Sequence, residues 1–199
     1  MKTILVYGAG DNGRIVRNLI QQCNYQFGGY ISDITEGYDI IGNFEKVRKE
    51  YSPQDFEIAM GIGFMDLKNR RKIYESIKGA NFSVATLVHP TSYVCPTTKI
   101  GEGTIILPHA VIDFNSKIEE IVFIWPNVVV NHDTIIKSNT FLSPGCIVNG
   151  FCEVGENCFI GAGAVIVDHI SVPSNTFVKA GKVYKSDSSK DFSVIKKPI

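Results

Sequence analysis

From Val88 to Val178 every sixth residue is Val, Ile or Leu, sixteen consecutive positions that begin Val88, Val94, Ile100, Ile106 and end Val172, Val178. Four residues after each of the first fifteen, the chain places a small side chain, as at Ser92, Thr98, Thr104, Ala110, Cys146, Cys152 and Cys158; only Ile170 is large. A helix repeats every 3.6 residues and a flat strand every two, so neither produces this register. One aliphatic and one small position per six residues is the pattern of a parallel β-helix. Three hexapeptides make the three faces of a triangular coil of 18 residues, with the aliphatic side chains on the prism axis and the small ones near the corners. The hexapeptide form coils left-handed, against the usual crossover rule. The repeat gives about five coils, and residue i stacks under residue i+18.

The repeat also accounts for three of the five cysteines. Cys146, Cys152 and Cys158 occupy the small slot on three different faces, so they cannot converge on one ion and are expected to pack as small hydrophobes. Cys23 and Cys95 have no partner spacing, and no metal site is expected. An odd number of cysteines without scaffold spacing suits a reducing cytoplasm. No apolar run approaches the length of a membrane span, and no signal peptide is read at Met1-Lys2-Thr3.

Ahead of the repeat, Thr3–Tyr7 is rich in β-formers and runs into Gly8-Ala9-Gly10-Asp11-Asn12-Gly13, followed by a helical pattern over 14–23. Gly-x-Gly-x-x-Gly between a strand and a helix presents backbone N–H groups and a helix N-terminus to phosphate. A second strand over 28–32 ends at Asp33, where a carboxylate can meet a ribose hydroxyl. Further strands are expected over 56–60 and 82–87, with a helix from about 66 to 78. Because the β-helix begins near 88, only one mononucleotide-binding half is present, and a full dinucleotide fold needs two. The loop is therefore read as holding one nucleotide, the diphosphate of an activated substrate. The expected organisation is a Rossmann-like half-fold over 1–87, a left-handed β-helix over 88–185, and a basic tail over 186–199.

Charge divides along the same lines. The chain has 20 basic and 20 acidic side chains, which excludes a broad basic surface for nucleic acid. Residues 88–178 carry 3 basic and 8 acidic side chains, whereas 179–199 carry 6 and 2, including Lys179, Lys182, Lys185, Lys196 and Lys197. The tail is either a solvated terminus or a phosphate-binding segment.

Of four histidines, His132 is distinguished by its place in Asn131-His132-Asp133. It is the second residue after inward Val130, so it points outward, and Gly150 lies one coil above it. An imidazole beside a carboxylate and below an exposed glycine N–H supplies a base and an oxyanion donor. A solvated histidine on a polar turn is the competing reading. His89 is read as structural, and His109 and His169 as surface residues.

Gly8-Ala9-Gly10 with Asp33, followed by hexapeptides containing Asn131-His132-Asp133, resembles the bacterial nucleotide-sugar N-acetyltransferases with an N-terminal Rossmann-like domain. Among them it is similar to enzymes that acetylate UDP-4-amino-sugars in bacillosamine synthesis; sialic-acid O-acetyltransferases share the plan. The resemblance covers about residues 1–185. It implies direct transfer from acetyl-CoA to the amine of a nucleotide-linked 4-amino-4,6-dideoxy sugar, with O-acetylation of a sugar hydroxyl as the alternative. It assigns His132 as general base and Asp133 as the acid that raises its basicity. It places the nucleotide-sugar on Gly8, Gly10, Asp11, Asn12, Ser32, Asp33 and Gly61, and acetyl-CoA on Phe141, Gly150, Ala162, Ala180 and Gly181. It further implies a cytoplasmic homotrimer in surface glycan biosynthesis, with acetyl-CoA between neighbouring prisms and each active site shared by two subunits. Phe141 stands where the family often has a second histidine, Met65-Asp66-Leu67-Lys68 lengthens the loop after Gly61, and the terminal Gly-Val-Pro-Ala-Lys is missing. An NAD-linked protein and a non-catalytic trimeric scaffold are the rivals from other classes.

Overall fold

The computed structural model describes residues 3–185 and the backbone of 194–196. Its chain contacts divide it into two units, residues 1–87 and 88–199. Lys197 and most of the basic tail lie outside the described residues.

The first unit is built on a parallel sheet. Its strands are β1 (Thr3–Tyr7), β2 (Phe27–Ile31), β3 (Ile40–Gly42), β4 (Phe56–Met60) and β5 (Ser83–Val84), in spatial order β3-β2-β1-β4-β5. Strand order reverses between β1 and β4, and in open α/β sheets the crevice beyond the strand ends at such a reversal is where ligands bind. Helix α1 (Asp11–Gln22) follows β1, and Gly13, Val16, Leu19 and Ile20 form its buried stripe at helical spacing. Helix α2 (Phe44–Glu50) buries Phe44 and Val47 and is capped by the Asn43 side chain, which accepts from the Lys46 N–H. Helix α3 (Leu67–Gly79) buries Leu67, Arg70 and Ile77 and is capped by Asp66 accepting from the Asn69 N–H.

Two elements here were not anticipated, β3 and α2. Both are short, and β3 contains one apolar pair before a glycine, too little to show a period. Nor is Met65-Asp66-Leu67-Lys68 a simple loop extension. Phe64–Asp66 is a single 3-10 turn, and Leu67 already begins α3.

The second unit is a left-handed parallel β-helix whose two-residue strands stack into three sheets of 18-residue register, for example Val111↔Val129, Val129↔Ile147 and Ile147↔Val165. The inward column, including Ile112, Val130, Val148 and Ile166, is completely buried. Pairing continues through Val183–Tyr184.

The small slot has a second function besides fitting the corner. Ser92, Thr98, Thr104, Ser116, Thr134 and Thr140 each donate a hydroxyl to the carbonyl fifteen residues ahead, at 2.7–2.9 Å. Cys152 and Cys158 place Sγ 3.0 and 3.2 Å from the equivalent carbonyls of Val167 and Pro173. These rungs satisfy carbonyls that the tight corner would otherwise bury unpaired.

A third column, also six residues apart, sets the corners. From Gly103 to Gly181 each such residue has positive φ. Glycine, asparagine and aspartate fill most of it, as expected for residues that tolerate the left-handed conformation. Ile121 at φ 50° and Phe151 at φ 55° are the departures.

Candidate functional site

The first unit contains a cavity of about 730 Å³ at the carboxyl ends of β1 and β4. Gly8, Gly10, Asp11, Asn12, Ser32, Asp33 and Gly61 all line it, so the structure brings together every residue assigned to the nucleotide-sugar. The glycines divide by what surrounds them. A Cβ on Gly13 would lie 1.9 Å from the Gly8 carbonyl oxygen, and one on Gly61 would lie 2.8 Å from Gly13 Cα and 3.0 Å from Gly8 O. These three residues let β1, α1 and β4 cross closely. Gly10 has nothing within 4 Å of a Cβ and instead faces open space. Gly13 was read only as part of the motif; its role is packing.

The carboxylate of Asp33 is held from two sides. The Tyr7 hydroxyl donates to Oδ2, and the Phe44 N–H donates to Oδ1 at 3.0 Å. Burial, then the bond and charge of Asp33, push the Tyr7 phenol far up, so it remains a donor. Asp33 is itself exposed and retains acceptor capacity toward the cavity. Ser32 is turned inward, with Oγ 2.7 Å from Thr35 Oγ1 and accepting the Thr35 N–H at 3.0 Å. Ile62, Met65, Asp66, Asn69 and Ile73 also line the cavity. Motif reading missed them because they come from the turn after β4 and from α3, where no glycine fingerprint marks the crevice.

In the second unit, His132 stands at the corner between strands Val129–Val130 and Ile135–Ile136. Its Nδ1 lies 3.0 Å from Asp133 Oδ2, and Asp133 Oδ1 accepts from Asn115 Nδ2 at 3.3 Å. With a carboxylate at Nδ1, the neutral ring carries its proton there and leaves Nε2 as the acceptor. The ring is stacked on Phe114, with centroids 5.2 Å apart and planes at 10°, and meets Phe151 edge-on at 5.1 Å. Gly150 lies directly above. A Cβ there would come within 2.8 Å of His132 Cε1, 3.0 Å of Nε2 and 3.3 Å of Nδ1. Gly150 is buried, not exposed as expected, because the imidazole covers it. The side chain of His132 remains 38% exposed. A second pair follows up the same corner, with His169 Nδ1 3.0 Å from Asp168 Oδ2 and its ring stacked on Phe151 at 4.7 Å. Phe114, Asn115 and Phe151 were not singled out in the sequence; the 18-residue stacking from His132 and Asp133 is the signal that reaches them.

The residues assigned to the acyl donor do not gather in one place. Ala162, Ala180 and Gly181 are exposed at another corner of the prism, where the Gly181 N–H donates to Ala162 O at 2.8 Å. A whole sheet, containing Val129 and Ile147, separates that corner from His132. Phe141 requires correction as a ligand contact. It is completely buried, with its ring stacked on Phe123 at 5.2 Å and 2°, so packing accounts for it. Among the described residues no group of His, Cys, Asp or Glu could hold a metal ion, and no helix is long and apolar enough to cross a membrane.

His89 is buried, and its Nδ1 accepts the Thr91 N–H at 3.1 Å. Burial and the nearby His109 lower its pKa. His109 is exposed.

A hexapeptide β-helix bearing an outward imidazole–carboxylate pair, preceded by a nucleotide-type α/β crevice, defines a two-part acyltransferase. Residues 3–77 match the PglD N-terminal domain, and residues 115–150 and 133–168 match the bacterial transferase hexapeptide (six repeats). The acetyltransferase domain of PglB from Neisseria gonorrhoeae is 27% identical, with a TM-score of 0.85 over 96% of this chain and 94% of that one. The same domain has been solved in complex with acetyl coenzyme A, with a TM-score of 0.82 over 94% and 93%. PerB from Caulobacter crescentus, solved with CoA and GDP-perosamine, shares the fold at 23% identity, with a TM-score of 0.87 over 94% and 90%. The chain is an acetyltransferase that joins a PglD-type N-terminal domain to hexapeptide repeats.

Proposed function

We propose that this protein transfers the acetyl group of acetyl-CoA to the amine of a nucleotide-linked 4-amino-4,6-dideoxy sugar, with His132 as general base. The observation that carries this reading is the His132 Nδ1–Asp133 contact of 3.0 Å, which commits Nδ1 and leaves Nε2 to take a proton. Support for the donor and acceptor classes comes from the relatives solved with acetyl coenzyme A and with GDP-perosamine.

The step is a direct displacement. The amine nitrogen attacks the thioester carbonyl while Nε2 removes its proton. A backbone N–H near Gly150 stabilises the tetrahedral oxyanion. The C–S bond then breaks, and the imidazolium returns its proton to the departing CoA thiolate. Asp133 favours the transient imidazolium, and Asn115 holds Asp133 in turn. In this reading Gly8, Gly10, Asp11, Asn12, Ser32, Asp33 and Gly61 hold the nucleotide-sugar in the 730 Å³ cavity. Gly150, Ala162, Ala180 and Gly181 hold acetyl-CoA.

A homotrimer with shared active sites fits two observations on the β-helix. Ala162, Ala180 and Gly181 occupy a different corner from His132 and Gly150, and the outward column Val111, Val129, Ile147, Val165 and Val183 offers an apolar face. The test is release of free CoA thiol from acetyl-CoA with UDP-, dTDP- and GDP-linked 4-amino sugars. Turnover of one of them supports the reading. Thiol release only with acceptors lacking an amine makes the protein an O-acetyltransferase, and tight NAD binding without any thiol release overturns it.

A further inference from the structure

Among the described residues, the three large apolar side chains most open to water all lie in the first unit: Tyr38 at 95% exposure, Ile34 at 92% and Met65 at 83%. A single exposed apolar side chain needs no explanation. Ile34 and Met65, however, line the same 730 Å³ cavity, whereas Tyr38 lines a smaller cleft beside Arg17 and Ile40. Ile34 follows β2 and Met65 follows β4, the strands that flank β1 on its two sides. The two side chains therefore stand on opposite lips of one crevice, and exposed apolar surface set in a polar site marks a place where a ligand is covered.

Neither is exposed because its backbone is loose. Ser32, itself buried, accepts the Ile34 N–H at 3.4 Å and the Thr35 N–H at 3.0 Å through Oγ. Asp33, between them, is held by the Tyr7 hydroxyl and by the Phe44 N–H. Met65 is the middle residue of the 3-10 turn Phe64–Asp66, and Asp66 closes that turn onto α3 by accepting the Asn69 N–H at 2.9 Å. Both apolar groups are thus presented to water by ordered turns.

The sequence of groups along the crevice says what would cover them. The N-terminus of α1 suits the diphosphate, and Asp33 has acceptor capacity left for a ribose hydroxyl. Ile34 is the next residue, so the group attached to that ribose is the one that meets it.

We propose that Ile34 and Met65 grip the two faces of the nucleobase of the bound nucleotide-sugar. The inference rests on the reading of this cavity as the nucleotide-sugar site. A base has polar edges and apolar faces, and aliphatic and thioether groups make good contacts with ring faces. A ring touched on both faces needs about 7–8 Å between the contacting atoms. The backbones of β2 and β4 are two strand spacings apart, about 10 Å, so side chains on the two lips reach a ring between them. Because the contacts are to faces and not edges, the grip supplies affinity for purine and pyrimidine alike. The choice among bases falls to groups that meet the edges.

The test is calorimetric titration of the full chain with UDP, dTDP and GDP, without acetyl-CoA. For the tightest of the three, Ile34→Ser and Met65→Ser each raise Kd about tenfold, and the heat-capacity change of binding becomes less negative in both. Melting temperatures equal that of the parent, since neither side chain is buried in the free chain. Ile34→Leu keeps an apolar contact and most of the affinity. Tyr38→Ser, the equally exposed control outside the cavity, leaves Kd within about twofold.

An unchanged Kd in Ile34→Ser and Met65→Ser overturns the inference, and loss in only one of them overturns the two-sided grip. So does weaker binding of the nucleotide-linked amino sugar with no loss for the free nucleotide, which moves the contact to the sugar. A lowered melting temperature, or an equal loss in Tyr38→Ser, makes the effect structural and overturns it as well. Failure of the parent to bind any of the three nucleotides overturns the reading of the cavity itself, an outcome distinct from the others.

Discussion

Replacing Gly150 by alanine adds one methyl group directly above the His132 imidazole. Built on the present backbone, that Cβ lies 2.8 Å from His132 Cε1, and ordinary contact begins at 3.4 Å, so the ring has to retreat by about 0.6 Å. It cannot retreat freely, because Phe114 is stacked beneath it and Asp133 holds Nδ1. Displacements approaching 1 Å at a reacting group lower rates by up to about 10²-fold, so Gly150→Ala should reduce kcat roughly 10- to 100-fold. The backbone itself accommodates the change, since Gly150 is not among the positive-φ glycines, and loss of glycine freedom in the unfolded chain favours folding by about 0.4–1 kcal/mol. Activity and stability therefore move independently. The assay is thiol release at saturating concentrations of both substrates, with melting temperature measured in parallel. A kcat within about twofold of the parent refutes the placement of Gly150 over a base that must hold its position.

Further outcomes follow from the packing. Thr140 Oγ1 donates to Gly155 O at 2.9 Å and accepts the Cys158 N–H at 3.1 Å; Thr140→Val strands both buried groups, so urea denaturation should show a loss of about 1–3 kcal/mol. An unchanged midpoint would mean that the corner rungs contribute nothing. Burial pushes the Cys146 thiol up to about 12 and Cys158 up to about 11, whereas the Thr97 hydroxyl lowers Cys95; iodoacetamide at pH 8 should label Cys95 first and the two buried thiols only after unfolding. Because these two folded values lie above the ordinary 9.0, their contribution to stability is full below about pH 9 and is lost as pH rises toward 11–12; Cys146→Ala should flatten that part of the melting profile. Gly61→Ala places a Cβ 2.7 Å from Val6 Cγ1 and 2.8 Å from Gly13 Cα; calorimetric titration with nucleotide-sugar should show at least a tenfold (about 1.4 kcal/mol) loss of affinity.

The β-helix is legible in the sequence because its signal is chemical and strict. An inward Ala or Asp at Ile112 or Val148 would leave a hole or a buried charge, so every coil repeats the same residue class. The corner column is harder to read. Asn127, Asn139, Gly145, Asn157 and Gly163 announce left-handed backbone, but Ile121 and Phe151 in the same column carry no such mark. The small slot looks like a steric requirement until the hydroxyls of Thr104 and Thr140 are seen bridging coils. In the α/β unit the Gly8–Gly13 loop and Asp33 stand out, whereas Ile62, Met65 and Asn69 have no motif and reach the cavity only because β4 lies beside β1. At the corner that carries the imidazole–carboxylate pair, His132 and Asp133 are adjacent in sequence and easily found. Phe114 and Asn115 lie 18 residues earlier and are neighbours only through the coil.

The central claim is that His132 acts as the base while the nucleotide-sugar is held by other residues. It is tested most directly by His132→Ala under single-turnover conditions with acetyl-CoA and the best nucleotide-amino-sugar acceptor, alongside a binding titration of that acceptor. The account predicts a rate lower by at least about 10²-fold with nucleotide-sugar affinity within about twofold of the parent. Near-normal turnover by this variant, or loss of nucleotide-sugar binding as the whole effect, would contradict it.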